Sequence, residues 1–124
     1  MKFMLLIYGN ESGWSALTQS EIDEIGNTHR RIQRDLLKTG ELLDHKELAL
    51  DGSRIVRTNK EAPTVTNGPL VNGKEILGGY YLVNCADMDR AADIAGQFLE
   101  AKFAPIEIRR LSGDTTWDDG APQL

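Results

Sequence analysis

The sequence predicts an α+β fold, a ferredoxin-like split βαβ unit with an antiparallel sheet. Three observations carry this expectation. Extended and helical segments alternate in the order strand, helix, strands, strand, helix, strand. Each of the two helical segments shows one apolar stripe, so both belong on a single side of the sheet. The first strand is apolar on both faces, so the other side of the sheet also needs a cover.

That first strand is "KFMLLIY", residues 2 to 8. Phe3, Leu5 and Ile7 point one way and Met4, Leu6 and Tyr8 the other, because side chains alternate along a strand. One layer of helices covers one face only. A two-fold dimer, packing sheet on sheet, is the closed way to cover the second.

Residues 9 to 17 read as a loop. Thr18 opens the first helix, with Glu21 three residues on completing a capping box. Ile22, Ile25, His29, Ile32 and Leu36 then recur at spacings of 3, 4, 3 and 4. Gly26 interrupts this stripe at a cost of about 1 kcal/mol relative to Ala. Lys38 in the last turn and Gly40 beyond it mark the end.

After the helix, "ELLDHKELAL" reads as extended, Asp51-Gly52 as a turn and "SRIVRT" as a strand, so residues 42 to 58 look like a hairpin. "TVT" is a short strand, and Asn67-Gly68-Pro69 suits a tight turn with Gly68 free to take positive φ. Asn72-Gly73 signals another turn. Gly78-Gly79 fit a bulge or a close approach at the start of a central strand, "GGYYLVNC". Asp87 caps the second helix, whose stripe reads Met88, Ala91, Ala92, Ala95, Phe98 and Leu99. "IEIRRL" is the last strand. The expected division is an α+β domain at 1–111 and a polar, acidic tail at 112–124, where Trp117 is the one anchor.

Bulk properties bound the function. The chain has 124 residues, 40% hydrophobic and 27% charged, as expected for one globular domain. No apolar run approaches the about 18 residues of a membrane span. "MKFMLLIYGNESGW" lacks the cleavage site of a signal peptide, and the single Cys85 excludes an internal disulfide, so a cytoplasmic location is expected. A net charge of −5 argues against general nucleic-acid binding. The basic cluster "HRRIQR", residues 29 to 34, reads as a solvated helix face carrying Arg30, Arg31 and Arg34.

His29 is the most informative single residue. It occupies a core-facing position where Leu or Ile would cost less, since a buried imidazole needs partners for its nitrogens. It reads either as a general base in a pocket between helix and sheet or as a core histidine satisfied by a mundane acceptor. Asp44, His45 and Glu47 do not make a metal site, because His45 and Glu47 share a strand face while Asp44 takes the other. Asp44 instead reads as an orienter of His29. Cys85 has nothing nearby to lower its pKa and reads as packing. No cofactor motif is present.

The segments "MKFMLLIYGNESGWSAL", "GELLDHKELA" and "TNGPLVNGKEILGGYYLVNCADMDRA" resemble the YCII-related, or DGPF-domain, family over about residues 1 to 110. The resemblance implies a ferredoxin-like subunit assembled as a dimeric α/β barrel. It implies small bacterial proteins, mostly uncharacterised, discussed as enzymes or as companions of extracytoplasmic-function sigma factors. Members carry a helix-1 His eleven residues before a Gly, matched here by His29 and Gly40, with a distant Asp as its partner. That Asp stands in an Asp-Pro pair before the last strand, where this chain has "GQFLEAKFAP". The family signature is altered by Asn67 and Leu70, and Asn72 and Gly73 stand where acids and hydroxyls are common. Either Asp44 substitutes for the lost acid, or the pocket binds without reacting.

Two functions follow as expectations. The first is a small-molecule pocket lined by His29, Tyr8, Asp44 and Tyr81 and bordered by Asn67, Lys74 and Glu75. It would support proton-transfer or lyase-type chemistry, with His29 as base, Asp44 as orienter and a Tyr hydroxyl as donor. The second is a non-catalytic binding or regulatory accessory, whose loop 59 to 79 and tail meet a partner. Both are expected to act as a homodimer, without cofactor, metal, nucleic acid or membrane.

Overall fold

The structure, a computed structural model, describes residues 1–70 and 75–113. Strand β1 (Lys2–Gly9) leads into a short helix, α1 (Glu11–Ser15), and a long one, α2 (Gln19–Thr39). Strands β2 (Leu42–Glu47), β3 (Arg54–Asn59), β4 (Ala62–Asn67) and β5 (Ile76–Asn84) follow. Helix α3 (Met88–Ala95), a 3₁₀ turn (Leu99–Lys102) and β6 (Ile106–Arg110) complete the chain. The turn signal at Asn72-Gly73, Lys74 and the tail from residue 114 on, with Trp117, lie outside the described residues.

The main sheet has four antiparallel strands in the order β2-β5-β1-β6. Strands β1 and β2 flank β5, so β1–α2–β2 is a split βαβ and the architecture is α+β, compatible with a ferredoxin-like unit. Both helices cover the same face. Phe3, Leu5, Ile7, Tyr81 and Val83 from the sheet meet Ile32 and Leu36 of α2 and Ala91, Ile94 and Ala95 of α3 in one core.

Local chemistry sets the helix ends. The Thr18 hydroxyl accepts from the Glu21 amide and the Glu21 carboxylate from the Thr18 amide, the reciprocal capping box. Gly40 closes α2 with φ 77°, a conformation that costs a residue with a Cβ. The Asp87 side chain accepts from the Arg90 amide at the start of α3.

Four readings of the sequence are corrected. Residues 9 to 17 are not all loop: Asn10 accepts from the Gly13 amide and caps α1. Residues 42 to 58 are not a hairpin, because β2 pairs with β5 while β3 pairs with β4 in a separate two-stranded sheet. The Asp51-Gly52 turn is real, with Gly52 at φ 78°, but it passes the chain from one sheet to the other. Gly68 is not at positive φ; its peptide to Pro69 is cis, and a Cβ there would meet the Ser53 side chain. In α3 the buried positions are Ala91, Ile94 and Ala95, whereas Met88 and Ala92 are exposed.

The bulge expected at the paired glycines is present. Ile7 pairs with Gly79 and Tyr8 with Leu77, which leaves Gly78 as the extra residue of β5. The bulge sits where β1, β5 and the end of β2 border the site.

Candidate functional site

Between α2 and the sheet lies a cavity of about 660 Å³. Helix α2 contributes Ile25, Gly26, His29, Arg30 and Gln33. The sheet contributes Ile7, Tyr8, His45 and Tyr81, and the 3₁₀ turn adds Glu100. The α2 residues fall together because positions three and four apart share a helix face.

His29 is held at both ring nitrogens. Its Nδ1 lies 2.7 Å from the Tyr81 hydroxyl and its Nε2 2.5 Å from Glu100 Oε2. The Gln33 amide donates to the Tyr81 oxygen at 2.8 Å. That donor order sets the neutral tautomer: Tyr81 donates to His29 Nδ1, and His29 Nε2–H donates to the Glu100 carboxylate. Aromatic rings fix the frame. Phe98 meets Tyr81 edge-on with centroids 4.7 Å apart, and His45 stacks on the other side at 5.2 Å. Burial pushes the Tyr81 phenol above its usual pKa; the Gln33 hydrogen bond works against this and the charge of Glu100 adds to it.

The His29 side chain keeps 22% of its surface, on the cavity wall, and that of Glu100 keeps 11%. Glu100 Oε1 is buried and has no hydrogen-bond partner among the described residues. The constellation is therefore carboxylate, imidazole and phenol in line, an arrangement able to move a proton between Tyr81 and His29 while Glu100 balances the imidazolium.

Asp44 does not reach His29. Its carboxylate accepts from Lys46 Nζ at 2.8 Å and from the Tyr80 hydroxyl at 2.8 Å. Those two bonds, Lys46 first, hold its pKa down at about 2, and the bond to Asp44, followed by burial, pushes that of Tyr80 up. The carboxylate at His29 is Glu100, from the "GQFLEAKFAP" segment that lacks the expected Asp-Pro. Its signal was an acid five residues before Pro105.

The other residues named from sequence separate. Tyr8 lines the cavity, and its hydroxyl lies 3.3 Å from Glu107 Oε1. Burial, followed by the Glu107 charge, raises its pKa. Asn67 lies on β4, where it accepts from Arg54 at 2.9 Å; neither it nor exposed Glu75 lines the cavity. Cys85 is buried, and burial raises its thiol pKa. Among the described residues, no group of three His, Cys, Asp or Glu could hold a metal ion. Nor is any helix among them long and apolar enough to cross a membrane.

Comparison with known proteins identifies the family. An uncharacterised protein of Rhizobium meliloti (strain 1021) is 30% identical over 115 residues, spanning 90% of this chain and 93% of that protein. The model of the YCII-related domain matches residues 1–112, and the chain belongs to that family.

Proposed function

We propose that this chain binds a small molecule in the cavity between α2 and the sheet and moves a proton on it, in isomerase- or lyase-type chemistry, with His29 as the base. The observation that supports this is the line Glu100–His29–Tyr81 at the wall of a cavity large enough for a small organic ligand. In the proposed step, Tyr81 passes its hydroxyl proton to His29 Nδ1 as it receives one from the ligand. Glu100 carries the countercharge to the imidazolium, and the Gln33 amide steadies the oxygen of Tyr81.

A thermal-shift screen of small metabolites against the wild type and His29→Ala tests the reading. Hits should lose their shift in the variant, and wild-type protein in D₂O should exchange a proton of the hit for deuterium. Deuterium uptake that persists in His29→Ala would overturn the role of His29.

The active unit in this reading is a dimeric α/β barrel. The sheet face away from the helices carries half-buried Met4, Leu6 and Tyr80, apolar and aromatic groups that a second copy would cover. The exposed β3–β4 hairpin favours a second reading, a non-catalytic accessory. Val56 and Val65 pair across it and are 64% and 62% exposed. A pull-down that recovers a partner lost on Val56→Ser, with no ligand found in the screen, would favour that reading.

A further inference from the structure

We propose that the ligand of this cavity is an organic acid with an apolar body, and that Arg30 is the residue that selects its anionic group. The inference rests on the small-molecule reading above and names the chemistry of the ligand.

It starts from Gly26. A glycine inside a long helix is unfavourable by about 1 kcal/mol relative to Ala, so its presence asks for a reason. The backbone supplies none, since Gly26 lies within regular α2 and is not among the positive-φ residues. Packing supplies none either. The nearest atoms outside the helix backbone that a Cβ at Gly26 would meet belong to the guanidinium of Arg30, at 3.4 to 3.8 Å, the far end of a flexible side chain. What the missing side chain does is leave open the stretch of cavity wall beside Arg30 and one turn before His29.

Arg30 itself is under-used. Its described partner is the neutral Asn27 Oδ1, at 2.7 Å. Arg31 and Arg90, by contrast, pair with Asp35 and Glu41, and cavity-lining Lys46 pairs with Asp44. No carboxylate of the described residues lies within ion-pair distance of Arg30. A guanidinium offers five donors in a planar fork suited to a carboxylate, and Asn27 engages one of its nitrogens.

The surroundings fit the rest of such a molecule. A neighbouring cleft shares Arg30 and Gln33 with the cavity and is also lined by Arg34, a second guanidinium. Trp14, Leu48 and Phe103 line the cavity although they are 42%, 38% and 44% exposed, apolar surface that an organic body would cover. Of the two lining carboxylates, Glu100 is engaged by His29, and Glu47 is exposed at the end of β2.

The test uses phenylacetate and 2-phenylethanol, matched in size and differing in charge, titrated into the full-length protein while the imidazole signals of His29 are followed by NMR. Phenylacetate should bind about tenfold more tightly than the alcohol to the wild type, as one charge-assisted bidentate contact provides. In Arg30→Gln the two should bind alike, and Arg30→Lys should retain part of the preference. Equal affinities in the wild type, or a preference that survives in Arg30→Gln, would overturn the proposal. If the alcohol moves the His29 signals without any preference for the acid, the pocket stands and the selectivity falls. If neither compound moves them, both fall.

Discussion

Glu100 holds His29 from the side opposite Tyr81, with its Oε2 2.5 Å from Nε2, although 71 residues separate the two in the chain. Both side chains are largely buried, so removing one partner leaves the other without its hydrogen bond in a desolvated place. Glu100→Ala should lower stability by about 1–3 kcal/mol in urea unfolding. In a double-mutant cycle with His29→Ala, the coupling should be about 0.5–3 kcal/mol. Strictly additive losses would mean that the two residues do not support each other.

Asp44 provides a test of electrostatics outside the cavity lining. Lys46, and after it Tyr80, hold its carboxyl at about 2. A carboxyl depressed in the folded state gives its stabilisation in full above the unfolded value of about 3.9 and loses it as pH falls towards 2. An NMR titration of the Asp44 carboxyl carbon should show the low midpoint, and Lys46→Met should move it up towards the ordinary value. An unchanged midpoint in Lys46→Met would assign the depression elsewhere.

What could be read in advance divides along chain distance. Thr18, Glu21, Gly40 and Asp87 act on backbone groups a few residues away, so their types alone announce the helix ends. The bulge at Gly78 follows similarly from paired glycines. The pairing of β2 with β5 gave no comparable signal, because the local Asp51-Gly52 turn points to the nearer strand and the true partner lies beyond an inserted hairpin. His29 was legible as a polar residue in an apolar stripe. Its carboxylate was not, since Glu100 sits on a 3₁₀ turn with no periodic pattern and comes close to His29 only when α2 and the turn after α3 pack on the same sheet. Asp44 was the natural guess on its strand, but Lys46 and Tyr80 lie nearer and claim it.

Gly26 separates stability from binding. The nearest atom to a new Cβ is in the flexible Arg30 guanidinium, at 3.4 Å, so Gly26→Ala gains helix propensity at little steric cost. Urea unfolding should show the variant more stable by about 0.5–1 kcal/mol. The same methyl group intrudes on the cavity wall, so binding of phenylacetate should weaken. A destabilised variant would mean that the helix needs the glycine for its own packing, and the argument from spare room would fail.

Neighbouring leucines on β1 distinguish a free sheet face from a dimer seam. Leu5 is fully buried against the helices, whereas Leu6, one residue on, points the other way and is half-buried in a single chain. Leu5→Glu would place an unpaired charge in the core, at a cost of several kcal/mol, and should unfold the protein at any concentration. Leu6→Glu places the same charge at the proposed seam. If a second copy covers that face, the wild type should sediment as a dimer at micromolar concentration. The Leu6→Glu variant should then sediment as a folded monomer with native circular dichroism. A wild type that sediments as a monomer would remove the dimer outright. A Leu6→Glu variant that remains dimeric would move the seam to another surface, for which the β3–β4 hairpin with exposed Val56 and Val65 is the next place to mutate.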